Sequence, residues 1–149
     1  MTDLPRVLFL CTGNSCRSQM AEGWARQLHG QTLAPASAGI ETHGLNPNAV
    51  AVMAESGVDI SGHQSQTLAD FADAQGNPAR WDLLVTVCGH ADETCPALPV
   101  GTRKVHVGFD DPPRLAKDET DPERALDHYR RVRDEIRAFV ETLPALLSI

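Results

Sequence analysis

The sequence has 149 residues, of which 42% are hydrophobic and 22% are charged, and these values predict a single globular domain spanning residues 1–149. The formal net charge of −7 argues against nucleic acid and anionic membranes as partners, because both bind basic surfaces. The longest early apolar run, Val7 to Leu10, is too short for a signal-peptide core or a membrane span. We therefore expect a cytoplasmic protein that binds neither nucleic acid nor membranes.

The first half of the chain alternates strand and helix patterns. Arg6 to Cys11 (RVLFLC) is a continuous apolar run that predicts a strand buried on both faces, and Ser18 to His29 has apolar residues at helical spacing. Thr32 to Ala38 predicts a weaker strand. Asn46 to Ser56 predicts a helix, with proline at its first position and glycine past its end, and Ser65 to Ala74 predicts another short helix.

The second half repeats this alternation. After a loop at residues 74–80, Asp82 to Cys88 (DLLVTVC) predicts a strand that again ends in a cysteine, and Lys104 to Phe109 predicts a fourth strand. A long amphipathic helix is predicted from Pro122. Its apolar face is formed by Leu126, Tyr129, Val132, Ile136, Val140 and Leu143. This order of elements indicates an α/β fold with a mostly parallel sheet.

The chain carries four cysteines, and two of them, Cys11 and Cys88, end predicted strands. A chain of this size with no secretory signal does not need disulfides for stability, so we expect reduced thiols with redox or nucleophilic roles. The alternative for Cys11 is a cysteine that is simply buried at the end of its strand.

The loop between the first strand and the first helix has the composition of an anion site. Backbone N–H groups and the positive end of the helix dipole meet there, and this field also stabilises a thiolate such as that of Cys11. The guanidinium of Arg17 matches the geometry of a tetrahedral oxyanion, and the Ser18 hydroxyl can reach the sulfur or a leaving oxygen. Gly13 and Asn14 can adopt the unusual backbone angles of a tight loop.

Four stretches carry a resemblance to a known family. The loop CTGNSCRS resembles the phosphate loop of low-molecular-weight protein tyrosine phosphatases and of the arsenate reductases built on the same fold. SAGIETHG (Ser37 to Gly44), VTVCGHADETCPALP (Val85 to Pro99) and GFDDP (Gly108 to Pro112) resemble the thioredoxin-coupled arsenate reductases. The similarity runs over nearly the whole chain. It implies a flavodoxin-like three-layer sandwich, with a four-stranded parallel sheet and helices on both faces.

The resemblance implies an activity and roles for individual residues. Arsenate would be reduced to arsenite, with Cys11 as nucleophile, Asp111 as general acid, and Cys88 and Cys95 passing electrons to thioredoxin; no metal or organic cofactor is required. Phosphate and sulfate would be substrate analogues. Ser18 and Arg17 belong to the catalytic group as well. The oxyanion would be bound by Thr12, Gly13, Asn14, Ser15, Cys16 and Arg17.

Several of these roles have support from the residues themselves. Asp111 precedes Pro112, which favours an extended backbone and a carboxylate presented near the edge of the sheet; its alternative role is that of an acidic turn residue, which we assign to Asp110. The carboxyl ends of the first and third strands meet at the switch point of such a sheet, which places Cys88 near Cys11. If residues 89–94 are helical, Cys88 and Cys95 stand about 10 Å apart, so this segment must unwind before they form a disulfide.

The remaining candidates have weaker roles. We interpret Cys16 as a packed, spectator thiol, and His63 and His106 as packing or hydrogen-bonding residues, because no pair of histidines has metal-ligand spacing. The family often has a potassium site, whose positions match Asn14, Glu22 and Ser37. Gln66 stands where an acidic ligand is expected, which makes potassium binding doubtful.

Two other functions stay open at this point. A tyrosine phosphatase of the same fold needs aromatic walls, but Pro113 and Arg114 follow the acid-proline pair, and Tyr129 lies in the last predicted helix. A non-catalytic oxyanion-binding module or thiol redox sensor would need fewer of these groups. The sequence therefore favours arsenate reduction, with weak phosphatase activity as a side reaction.

Overall fold

Four parallel strands form one sheet in the computed structural model, which describes residues 4–95 and 101–148. The strands are β1 (Arg6–Cys11), β2 (Ala34–Gly39), β3 (Leu83–Thr86) and β4 (Arg103–His106), and their order in the sheet is β2-β1-β3-β4. The order confirms the predicted α/β fold with β1 and β3 side by side. The end of the resembling stretch 85–99, from residue 96 onward, lies outside the described residues.

The strands differ in burial as their sequences predict. All residues of β1 after Arg6 are buried, because the strand lies in the middle of the sheet with both faces covered. Three of the four β4 residues are exposed, and the charged side chains of Arg103 and Lys104 lie on this edge strand. Charged residues at an edge hinder pairing with another chain.

Six helices surround the sheet within the described residues. They are α1 (Arg17–His29), α2 (Pro47–Glu55), α3 (Gly89–Thr94), α4 (Pro112–Ala116), α5 (Pro122–Val140) and α6 (Leu143–Leu147). The start of α2 follows the prediction: Asn46 caps it by accepting hydrogen bonds from the N–H groups of Asn48 and Ala49 at 2.8 and 3.2 Å. None of the described helices is long and apolar enough to cross a membrane.

The helices α1 and α5 pack on each other, and α1 also contacts β1 and β2. The buried residues of α5 are Tyr129, Val132, Ile136 and Val140, which belong to the predicted apolar face. The indole of Trp24 on α1 donates a hydrogen bond to the Arg133 carbonyl at 3.1 Å, so a buried polar atom is satisfied where the two helices meet.

Two predicted helices differ from the structure. The helix predicted over Ser65 to Ala74 is wrong: only a 3₁₀ turn forms at Leu68–Phe71, because the preceding residues pair with the end of β2 through a Gly39–Thr67 bridge. The long helix predicted to reach Leu143 ends at Val140. Pro144 has no N–H to donate to the Val140 carbonyl, which accepts a hydrogen bond from His29 Nε2 at 2.9 Å instead.

The sequence did not predict α4 and α6, which have five residues each. A helix this short has too few turns to produce a periodic apolar pattern. The observed strands begin and end one to three residues away from the predicted bounds, except for β1, whose bounds match. Asp111, which the resemblance implies is a site residue, occupies the position just before α4.

Candidate active site

The loop from β1 to α1 is held in shape by the segment that follows β2. The N–H groups of Ile40, Glu41, His43 and Asn46 donate hydrogen bonds of 2.9–3.1 Å to the carbonyls of Cys11, Thr12, Gly13 and Ser15. Asn14 has a positive φ of 46°, in the left-handed region, as the tight loop requires. Because the loop carbonyls are directed to this outer segment, the loop can turn its N–H groups toward the opposite side, at the start of α1.

A buried polar chain ends at the Cys11 sulfur. Asn14 Nδ2 donates a hydrogen bond to Ser18 Oγ at 2.9 Å, and Ser18 Oγ lies 2.8 Å from Cys11 Sγ. Since Ser18 Oγ accepts from Asn14, its own proton is available to the sulfur. Asn14 and Ser18 are fully buried and Cys11 is 4% exposed. The arrangement supplies the Cys11 sulfur with a buried hydrogen-bond donor and orients it.

A cavity of about 330 Å³ opens above this loop. Arg17 and Asp111 meet at its wall: Arg17 Nη1 donates to the Phe109 carbonyl at 2.9 Å, and Nη2 lies 3.7 Å from Asp111 Oδ1. Asp111 has an extended backbone, as its position before Pro112 predicts. The lining residues are Cys11, Thr12, Gly13, Ser15, Cys16, Arg17, His43, Asn46, Asp111 and Pro113.

Cys88 and Cys95 stand at the two ends of α3. Cys88 caps the helix, its sulfur accepting a hydrogen bond from the Ala91 N–H at 3.4 Å, and this sulfur also lies 3.3 Å from the Thr12 hydroxyl. Thr12 follows Cys11, so the second thiol is next to the loop of the first. Cys95 follows the last turn of α3 and is partly buried; burial raises its pKa, while Lys104 opposes this shift. None of the four cysteines, all of which lie within the described residues, is in a disulfide.

Cys16 lines the cavity but differs from Cys11 in its surroundings. Its side chain is 5% exposed. Burial raises the pKa of Cys16 strongly, and the nearby charges of Asp111 and Cys11 act in the same direction. This thiol therefore stays protonated at neutral pH, in agreement with its interpretation as a spectator.

Two polar residues of the cavity wall, His43 and Asn46, were not predicted from the sequence. The His43 ring packs against Gly13, and its Nε2 lies 3.3 Å from Glu41 Oε2. Both residues follow β2, whose last residue, Gly39, is paired with Cys11. The carboxyl ends of parallel strands lie at one edge of the sheet. The rule that placed Cys88 near Cys11 therefore also indicates the segment after β2.

The residues expected at a potassium site are bonded to other protein groups. Asn14 Oδ1 accepts from the Gln66 N–H at 2.8 Å, and Ser37 Oγ donates to Glu22 Oε1 at 2.7 Å. Arg26 forms an ion pair with the other Glu22 oxygen at 2.8 Å. The one carboxylate of this set therefore already has a cationic partner, which lowers its attraction for a second cation. Within residues 4–95 and 101–148, no cluster of three or more His, Cys, Asp or Glu side chains could hold a metal.

The two histidines that were interpreted as structural have hydrogen-bond partners. His63 Nδ1 lies 2.9 Å from Gln19 Oε1, and Gln19 Nε2 donates to the Asn14 side-chain oxygen at 3.0 Å. His106 Nδ1 lies 2.8 Å from the Thr86 hydroxyl. Both contacts agree with the predicted hydrogen-bonding roles.

Gly39 is expected to be essential for the shape of the loop. A Cβ at this position would lie 2.3 Å from the Glu41 carbonyl oxygen and 2.7 Å from the Asn14 nitrogen, and backbone atoms cannot move aside cheaply. We expect Gly39→Ala to lower the free energy of unfolding by about 1–3 kcal/mol and to weaken phosphate binding. Denaturant unfolding and phosphate titration check this. Gly62→Ala is the control, since a Cβ there has no neighbour within 4 Å; equal behaviour of the two variants would contradict the expectation.

Comparison with known proteins agrees with this geometry. The family model of low molecular weight phosphotyrosine protein phosphatase matches residues 6–148. An arsenate reductase of Halalkalibacterium halodurans is 51% identical over 136 residues, covering 91% of this chain and 92% of that protein, and one of Bacillus subtilis is 50% identical over 140 residues, covering 91% and 95%.

The fold of this chain is also similar to solved structures of arsenate reductases. A structure described as an arsenate reductase in the oxidized state has a TM-score of 0.75 and 30% identity, and one described as being in the phosphate binding state has a TM-score of 0.67 and 31% identity. Both comparisons cover 97% of this chain and 99% of the other. The chain belongs to the low molecular weight phosphotyrosine protein phosphatase family.

Proposed function

We propose that this protein is an arsenate reductase that works through three thiols, Cys11, Cys88 and Cys95, and is returned to its reduced form by thioredoxin. The observation that carries the proposal is the position of Cys88, whose sulfur contacts Thr12 beside the nucleophile at 3.3 Å. A phosphatase needs one thiol, because water hydrolyses its covalent intermediate. A second thiol at the same loop permits reduction instead. Two arsenate reductases that share about half of their aligned residues with this chain support the same function.

The first step joins arsenic to Cys11. The thiolate attacks arsenate, a bond forms between sulfur and arsenic, and one oxygen leaves as water after Asp111 supplies a proton. Arg17 and the loop N–H groups hold the remaining oxygens and neutralise their charge. Ser18, held by Asn14, keeps the Cys11 sulfur ready for attack.

The second and third steps move electrons without a metal or organic cofactor. The Cys88 thiolate attacks the Cys11 sulfur; the sulfur–arsenic bond breaks, its electron pair stays on arsenic, and arsenite leaves. Cys95 then attacks Cys88, which releases Cys11 as a thiolate and leaves a Cys88–Cys95 disulfide. Thioredoxin reduces this disulfide by two electrons. Cys16 takes no part in these reaction steps.

The other features of the proposal follow from this chemistry. Phosphate and sulfate would compete with arsenate, because the loop recognises the tetrahedral oxyanion that they share. Reduced thiols and a thioredoxin partner fit a reducing compartment, so we place the protein in the cytoplasm. We treat residues 1–149 as one domain, and the net charge of −7 gives no reason to expect nucleic acid as a partner.

A coupled assay tests the proposal. We expect NADPH to be consumed when arsenate, thioredoxin and thioredoxin reductase are supplied together, and not when either arsenate or thioredoxin is left out. Hydrolysis of p-nitrophenyl phosphate is measured alongside. Rapid hydrolysis of this ester without arsenate-dependent NADPH consumption would assign the function to a phosphatase, and arsenate binding without either reaction would indicate a non-catalytic module.

The cavity itself favours the reductase over a tyrosine phosphatase. Among the described residues that line it, His43 has the only aromatic ring. Aromatic rings are the side chains that grip the faces of a phenyl ring best, and the other described lining residues supply none. Tyr129 lies in the core at 3% exposure, with its hydroxyl bonded to Asn46 Nδ2 at 3.2 Å.

A further inference from the structure

The proposed disulfide between Cys88 and Cys95 cannot form while α3 is intact. The two residues flank a helix of six residues, which separates their Cα atoms by about 10 Å along the axis at 1.5 Å per residue. A disulfide requires Cα atoms within about 7 Å. Contacts that keep α3 helical and attached to the sheet therefore stabilise the dithiol form and oppose the disulfide form.

A helix this short is not stable by itself, so tertiary contacts must hold it. One contact is the Cys88 cap on the Ala91 N–H, at 3.4 Å. The Cys88 sulfur gives up this role when it moves to attack Cys11. Ala91 is fully buried, and α3 packs against β1 and β3. From then on, only the other contacts of α3 hold it in helical form. The segment must later unwind so that Cys95 can reach Cys88.

Asp92 makes polar contacts that also hold α3 against the sheet. Lys104 Nζ on β4 lies 2.9 Å from Asp92 Oδ1 and donates a second bond to the Asp92 main-chain carbonyl at 3.0 Å. That carbonyl is in the last turn of α3, where the helix has no donor of its own. The Lys104 hydrogen bond lowers the pKa of Asp92, so the carboxylate is charged at neutral pH. One lysine thus binds both the side chain and the backbone of the helix.

The same carboxylate is bound from β3. The hydroxyl of Thr86, which is fully buried, donates to Asp92 Oδ1 at 3.2 Å and lies 2.8 Å from His106 Nδ1 on β4. Because Thr86 has one proton to donate, this arrangement requires His106 Nδ1–H to donate to Thr86. Four residues of β3, α3 and β4 therefore form the Asp92 cluster, which consists of Thr86, Asp92, Lys104 and His106.

We propose that the Asp92 cluster is a positioning device for the second half of the relay: it holds α3 in the dithiol form and sets how readily the Cys88–Cys95 disulfide forms. This inference rests on the proposed relay. In the step concerned, the Cys95 thiolate attacks Cys88, a new S–S bond forms, and the Cys11–Cys88 bond breaks with Cys11 leaving as a thiolate. The cluster touches neither arsenate nor the reacting sulfurs, and arsenate binding does not depend on it.

The test isolates the Cys88–Cys95 couple in the Cys11→Ser protein, without arsenate. The protein is equilibrated with mixtures of reduced and oxidised dithiothreitol; the oxidised form takes two electrons and two protons from the two thiols. The disulfide fraction is measured by alkylation and mass spectrometry. Asp92→Asn and Lys104→Met should each raise the ratio of disulfide to dithiol about two- to fivefold, the range expected for one partly exposed ion pair.

Two further results are expected, and a control separates them from general destabilisation. The ratio of disulfide to dithiol in the double variant should be smaller than the product of the two single effects predicts, because both changes remove the same ion pair. Amide exchange within residues 89–95 of the reduced protein should accelerate by a similar factor. Asp127→Asn removes an exposed carboxylate that pairs with Arg130 on α5 and should leave the ratio unchanged.

Equal ratios in the parent, Asp92→Asn and Lys104→Met proteins would overturn the role of the Asp92 cluster and leave the relay intact. If no Cys88–Cys95 disulfide forms at any ratio of dithiothreitol, both the relay and the cluster's role are wrong. Phosphate affinity in the Cys11→Ser background should be the same for all variants. A loss of affinity in Asp92→Asn would show that the cluster shapes the oxyanion loop instead.

Discussion

Arg17→Lys should lower kcat/KM for arsenate by about 10²–10³-fold, the range found when a donor to a developing oxyanion is removed. Arg17 is 13% exposed, and its guanidinium is fixed by the Phe109 carbonyl and by Asp111. Lysine keeps the charge but loses the planar pair of donors that matches two oxygens of a tetrahedral anion. Steady-state kinetics with the thioredoxin system measures the change.

The matched control for this prediction is Arg124→Lys, the same replacement at an exposed position of α5. It should leave kcat/KM unchanged. Phosphate binding, measured by titration, should weaken in Arg17→Lys and stay the same in the control. If Arg17→Lys keeps full activity, charge alone explains the role of Arg17, and recognition through paired hydrogen bonds is wrong.

Asp111→Asn should lower kcat for arsenate by about 10²–10⁴-fold, the usual contribution of a general acid. The carboxylate lines the cavity, and asparagine preserves its size and one acceptor oxygen but has no acidic proton to transfer. Arsenate affinity should change far less than kcat, since Asp111 acts on the leaving oxygen. A stopped assay for arsenite in the first turnover measures the chemical step directly.

Asp110→Asn is the neighbouring control. Its carboxylate pairs with Arg131 at 2.9 Å instead of lining the cavity, in keeping with its interpretation as a turn residue. We expect first-turnover rates near those of the unmodified protein. Equal losses in Asp110→Asn and Asp111→Asn would mean that the turn itself matters, and the assignment of Asp111 as the acid would be wrong.

The sheet could be predicted from the sequence because its signals are local and strong. Val7 to Cys11 is apolar without interruption, and this pattern occurs where a strand is covered on both faces. The position of β1 beside β3 was predicted from the alternation of strands with helices, and it placed Cys11 and Cys88 at one edge. The extended backbone of Asp111 followed from the next residue, Pro112.

The parts that were missed depend on contacts between distant residues. Ser65 to Ala74 has helical composition, but its start pairs with β2, and this tertiary pairing overrides the local preference. His43 lines the cavity only because its N–H is bonded to the Gly13 carbonyl, 30 positions earlier in the chain, at 2.9 Å. Lys104 was predicted only as part of a strand, since nothing in its neighbourhood of the sequence shows that it binds Asp92.

The most direct test of the relay uses Cys95→Ser with arsenate and no external reductant. We predict one arsenite per chain and a disulfide between Cys11 and Cys88, located by peptide mass mapping, whereas the unmodified protein should end with a Cys88–Cys95 disulfide. Alkylation at low pH stops thiol exchange before the digest. Release of arsenite with Cys88 still a free thiol, or continued turnover of Cys95→Ser when thioredoxin is added, would contradict the three-thiol relay.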